Sequence, residues 1–131
     1  MLYTKCILSH PLDEDGTRIS VMSRHTLNDG VTPDLRISTG CYHEWLRELA
    51  PPARLIGDYY KRGLGWEEFE FQYKEYLRQS GVAVMVRELA QRAVSSDITL
   101  LCIEETAERC HRGILAQECL CRSPGLIVDH R

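Results

Sequence analysis

Residues 100–112 read Leu-Leu-Cys-Ile-Glu-Glu-Thr-Ala-Glu-Arg-Cys-His-Arg, a dense cluster of reactive side chains in one short stretch. Cys102 closes an apolar run, Glu104 follows it closely, and Cys110, His111 and Arg112 stand together a little further on. Cysteine is a nucleophile as the thiolate, and a nearby cation or a helix N-terminus lowers its pKa toward neutrality. Cys102 or Cys110 would then attack an electrophile, Glu104 and His111 would move protons, and Arg112 would hold an anion.

Other chemistries fit parts of the same cluster. Cysteine is among the residues most often buried, so a thiol at the end of a core strand also serves as packing. Cys102 and Cys110 could approach within disulfide range, although no Cys-x-x-Cys redox motif is present. Structural zinc sites favour closely spaced cysteine pairs. Cys110 and Cys119 sit about 13 Å apart along one helix, too far for one ion. A weaker site from Cys102, Cys110 and His111 stays open, and no cofactor is expected. The spacing from Cys102 to Arg109 is one residue too long for a cysteine–arginine phosphate loop, and it passes through Glu104 and Glu105.

The elements that would carry these groups can be read from periodicity. Leu2–Leu8 and Arg18–Met22 read as strands separated by turn residues. Residues 23–40 have no period and are rich in Asp, Gly, Thr and Pro, as in a functional or mobile loop. Residues 42–50 read as a short helix closed by Pro51 and Pro52, and 53–65 is ambiguous. Trp66, Phe69, Tyr73, Tyr76 and Leu77 share one helical face over 65–79, and Gly81 marks a break before a second helix over 82–94. Ile98–Ile103 reads as a buried strand, 108–122 as a helix, and 126–130 as a last strand.

This order predicts an α/β fold: a single compact domain over 1–131, with a small mostly parallel sheet flanked by helices in a Rossmann-like three-layer arrangement. Its C-terminal βαβ unit would form a parallel pair. Ligands bind beyond the carboxyl ends of such strands. Arg24 and His25 after the second strand would face Cys102, Glu104, Cys110, His111 and Arg112, as would Ser9, His10, Asp129 and His130. Tyr59 and Tyr60 would supply an aromatic wall, or pack against the helix beginning at Trp66.

Composition narrows the function classes. The chain has 131 residues, 44% hydrophobic and 27% charged, enough for one core without disulfides. The net charge of -3, with sixteen Lys and Arg spread along the chain, argues against duplex nucleic acid as the main partner. A small anionic ligand is compatible with it. The N-terminus lacks the pattern of a signal peptide, and no apolar run approaches the roughly 20 residues that span a bilayer. A cytoplasmic protein is expected, with Cys6, Cys41, Cys102, Cys110, Cys119 and Cys121 as thiols rather than disulfides.

The segment "ITLLCIEETAERCHR" resembles the hallmark of the Domain of Unknown Function 488 family, a strand ending in Cys before a Cys-His-Arg helix start. The middle of the chain is similar to that family's YeaO-like branch, through Trp45, Leu49, Ala50, Pro51, Trp66, Phe69 and Tyr73. The likeness covers roughly 17–131 and departs from that branch at "VMSRHTLNDG", where only Arg24 and Gly30 carry over. It implies a single α/β domain and one grouped site at Cys102, Glu104, Cys110, His111 and Arg112, and it implies no reaction.

Three functional readings follow. The first is an enzyme acting on a small anionic, nucleotide- or nucleobase-like substrate through a Cys/Glu/Arg site. The second is a module that binds a ligand or partner without turnover. The third is thiol redox or thiolate metal chemistry through Cys102 and Cys110.

Overall fold

The computed structural model describes all residues, 1–131. Five strands are present: β1 (Leu2–Cys6), β2 (Thr17–Ser20), β3 (Glu44–Trp45), β4 (Ile98–Cys102) and β5 (Val128–His130). They form one sheet in the order β3-β2-β4-β1-β5, and every pairing is parallel. Strand β4 lies in the centre and is buried at all five positions. That is why Ile-Thr-Leu-Leu-Cys reads as a continuous run rather than an alternation: both faces of a parallel sheet are covered.

Four helices complete the frame: α1 (Ala53–Lys61), α2 (Trp66–Leu77), α3 (Ser80–Ser95) and α4 (His111–Arg122). The main core joins Leu2, Ile19, Ile98 and Leu100 of the sheet to Leu55, Phe69, Tyr73, Leu89 and Leu115 of the helices. The register pairs Leu2 with Ile98 and Ile19 with Leu100, so these side chains share one face. Each buried aliphatic side chain there contributes about 1.5–3 kcal/mol relative to exposure.

The opposite face carries Lys5, Arg18 and Thr99 and is covered by irregular chain. Buried Asp15 accepts from Lys5 Nζ at 2.9 Å and Arg18 Nη1 at 2.6 Å, while Thr99 Oγ1 donates to its carbonyl at 2.7 Å. Arg18 Nε also donates to the Cys41 carbonyl at 2.8 Å. The Rossmann-like three layers are therefore helices, sheet, and the chain segments around 7–16 and 34–43, pinned by buried ion pairs.

Three sequence expectations change. Residues 42–50 form strand β3 and a short 3-10 turn, Arg47–Leu49, instead of a helix. His43 N donates to Arg18 O at 2.8 Å and Leu46 N to Ser20 O at 2.9 Å, so pairing with β2 outweighs a nine-residue helix too short to stand alone. The ambiguous stretch is helix α1, entered from Pro52. Strands β4 and β5 are parallel, but β1 lies between them, so the C-terminal βαβ unit spans a strand instead of pairing its own two. The break before the third helix falls at Arg78 and Gln79, slightly ahead of Gly81. No helix is long and apolar enough to cross a membrane.

Candidate active site

Strands β2 and β4 end side by side, and a cavity of about 490 Å³ opens beyond them, a size within the usual range for small-molecule sites. Cys102, the last residue of β4, lines it together with Ile103 and Glu104. The chain then turns to Cys110, the N-cap of α4, and His111, its first residue. The remaining walls come from 22–30, from α1 and from the start of α2.

Cys102 and His111 meet on the cavity side. Cys102 Sγ lies 3.7 Å from His111 Nδ1, and His111 Nε2 lies 2.8 Å from the Val21 carbonyl. A carbonyl only accepts, so Nε2 carries the hydrogen and the neutral ring presents a bare Nδ1 to the thiol. Tyr73 packs edge-on against the ring, with centroids 5.8 Å apart. The imidazole is thus oriented by a hydrogen bond on its far nitrogen and by packing, as a general base must be.

The two cysteines separate in charge. The neighbouring Cys110 thiol, within 4.8 Å of the Cys102 sulfur, is the largest cause of a lowered Cys102 pKa. The N–H groups of Ile103 and Glu104 and the Arg112 charge add to it, against the opposing effect of burial. Cys110 is pushed up, first by the neighbouring Cys102 sulfur and then by burial. Of the two, Cys102 is therefore the thiol that ionises more readily.

Arg112 explains why a thiolate is tolerated there. Its side chain is fully buried, and Nη1 donates to the Glu104 carbonyl at 2.7 Å and to Cys110 Sγ at 3.4 Å. No carboxylate pairs with it, and Nε and Nη2 have no partner at all. A buried cation without a counter-ion is costly, and the groups beside it able to become an anion are the Cys110 sulfur it touches and the Cys102 sulfur, whose pKa its charge lowers.

One ligand atom each from Cys102, Cys110 and His111 falls within 4.8 Å of the others, close enough for one metal ion. The donor set suits a soft cation, and the Nε2 bond to Val21 is the kind that orients a metal-bound histidine. The guanidinium of Arg112 beside Cys110 Sγ opposes a cation and favours a bare thiolate.

Among the residues singled out from sequence, Cys102, Glu104, His111, Arg24, Tyr59 and Tyr60 all line the cavity. Tyr60 hydroxyl donates to Glu104 Oε1 at 2.8 Å, and burial of its hydroxyl end together with that carboxylate raises its pKa. Tyr59 is shared between cavity and core, tilted against Phe69 at 5.0 Å. Cys110 and Arg112 lie behind Cys102, outside the lining, so Arg112 touches the thiols rather than a ligand in the cleft.

His25 is also displaced from its expected place. It stacks on Trp45 with centroids 3.8 Å apart and bonds Ser20 Oγ at 2.8 Å, because the β3 edge needs an aromatic cover. His10, Asp129 and His130 are not in the lining, since β1 and β5 end on the far side of β4 from β2.

Sequence reasoning missed Lys61, Arg109, Trp66 and Phe69 as lining residues. Trp66 and Phe69 carried only a core signal. Lys61 follows the Tyr59-Tyr60 pair on the same helix, which was a usable hint. Arg109 gave none, because its position depends on a left-handed backbone (φ 52°) in the turn before α4.

Searches of curated proteins and of solved structures found no match to the chain. A family model, DUF488-N3a, described as "Active DUF488-N3 subclade", matches residues 2–122. That match agrees at family level with the resemblance carried by the Cys-His-Arg segment. The chain belongs to the DUF488-N3a family.

Proposed function

We propose that the protein is an enzyme that uses Cys102 as a thiolate nucleophile on a small, anionic, nucleotide- or nucleobase-like substrate. The observation that carries this reading is the relay from Cys102 Sγ to His111 Nδ1, with Nε2 held by Val21 O, at a cavity of ligand size.

The chemistry follows from the donors. His111 Nδ1 accepts the thiol proton, and the Ile103 and Glu104 N–H groups with Arg112 hold the resulting thiolate. The thiolate attacks an electrophilic carbon, a C–S bond forms, and the bond to the leaving group breaks. The imidazolium returns the proton to that group. Glu104, fixed by Tyr60, is placed at the cavity wall to exchange a proton with the substrate. Trp66, Phe69 and Tyr59 line the cavity with aromatic rings, an apolar wall for a planar ring.

The test is site-resolved alkylation. Folded protein is treated briefly with iodoacetamide near neutral pH, and the labelled cysteine is located by peptide mass. Preferential labelling at Cys102, lost in His111→Asn, is expected. Labelling confined to Cys121, the most exposed thiol, would remove the nucleophile and leave a binding module.

A further inference from the structure

Nine of the sixteen lysines and arginines sit in ion pairs. Of the seven that do not, Arg24, Lys61 and Arg109 line the Cys102 cavity and Arg112 lies behind it. Unpaired cations are thus concentrated at this one place in a chain whose net charge is negative. The single carboxylate of the lining, Glu104, is occupied by Tyr60. Asp29, which the Lys61 charge reaches, is committed to its own turn through Val31 N, Thr32 N and the Thr32 hydroxyl.

One of the three cations is held at a backbone cost, and a second leans on a glycine turn. Arg109 is the sole non-glycine residue with positive φ. A non-glycine left-handed residue costs of order 1–3 kcal/mol and persists where the surroundings impose it, often at functional sites. Arg24 Nη1 donates to the Gly30 carbonyl at 3.1 Å, leaving the other guanidinium nitrogens free. Gly30 has φ +72°, and a Cβ there would come within 2.7 Å of Arg24 Nη1. Any side chain at 30 would push the guanidinium away. The bridge between Thr26 and Pro33 and the Leu27 N to Thr32 O bond at 2.8 Å fix the loop that carries it.

Three uncompensated cations brought to one cavity from three separate elements focus a positive potential into it. A dianion relieves this best, and guanidinium groups match the geometry of phosphate oxygens. We propose that Arg24, Lys61 and Arg109 form a phosphate-binding rim, and that the substrate of Cys102 is a phosphomonoester of nucleotide size. This deepens the thiolate-enzyme reading and rests on it for the word substrate, but the rim can be measured without any thiol chemistry.

The experiment is calorimetric titration of the full chain with adenosine 5′-monophosphate, adenosine and inorganic phosphate, for wild type and for Arg24→Gln, Lys61→Gln and Arg109→Gln. The monophosphate should bind, phosphate should compete with it, and adenosine should bind far more weakly. Each variant should weaken the monophosphate about 10- to 100-fold, the size of a lost charge-assisted hydrogen bond. Arg109→Gly, which relaxes the backbone, should hold or raise Tm while losing the same affinity. Equal binding of adenosine and its monophosphate, no binding of either phosphate, or unchanged affinity in all three variants would overturn the rim. The iodoacetamide reactivity of Cys102 in ligand-free protein is a separate readout, so loss of one reading is not mistaken for loss of the other.

Discussion

Replacing Arg112 with methionine probes the electrostatics behind Cys102 without opening a large void. The change removes the 2.7 Å bond to the Glu104 carbonyl and the weaker 3.4 Å bond to Cys110 Sγ. The first is a charge-assisted hydrogen bond, worth about 1.5–3 kcal/mol. Removing a buried charge whose Nε and Nη2 have no partner offsets part of that loss. A net destabilisation of about 1–2 kcal/mol is expected, read as a shifted midpoint in urea denaturation.

The pH dependence is the sharper signature. The Cys102 pKa is lowered in the folded state, with Arg112 among the causes. A depressed thiol contributes stability that is fully present above its unfolded pKa, about 8.5, and lost as pH falls through the folded value. The stability gap between wild type and Arg112→Met should therefore widen as pH rises from mildly acidic to mildly alkaline. Cys110 does not disturb the comparison, because its pKa is raised in the folded protein. A gap that stays constant with pH, or a variant more stable than wild type throughout, would refute the pairing of Arg112 with a thiolate.

Other perturbations separate chemistry from scaffold. His111→Asn removes the Nδ1 base and should slow Cys102-dependent turnover by about 10²–10⁴-fold, with thermal melts checking that the fold survives. Asp15→Asn, in the buried cluster with Lys5 and Arg18, should cost about 3–5 kcal/mol in denaturant titrations, since it leaves two cations underpaired. Gly113→Ala places a Cβ 2.7 Å from the Ala107 carbonyl. The β4–α4 turn must move, at about 1–3 kcal/mol, and alkylation of Cys102 should fall with Tm.

Much of the frame was legible because it follows from local pattern. The helical face of Trp66, Phe69, Tyr73 and Leu77 and the continuous apolar run of β4 are signals of burial, and both elements stand where periodicity placed them. Strand β3 was not legible, because Glu44 and Trp45 are held extended by the flanking bonds of His43 to Arg18 and Leu46 to Ser20, far away in sequence. The grouping of Cys102 with His111 followed from a strand end facing a helix start. The roles within the group did not. Which cysteine ionises more readily depends on how close the two sulfurs lie and on where Arg112 points, and both are tertiary facts. Arg109 stayed hidden for the same reason, since nothing local marks a left-handed arginine.

The central claim is that the Cys102 thiol ionises more readily than an ordinary thiol. Thiolate absorbance in the ultraviolet, followed against pH in wild type and in Cys102→Ser, isolates the titration of this one sulfur as a difference curve. A step clearly below the ordinary thiol pKa, about 8.5, is expected in the wild type and absent from the variant. A difference curve that rises only at or above that value would contradict the assignment of Cys102 as the nucleophile.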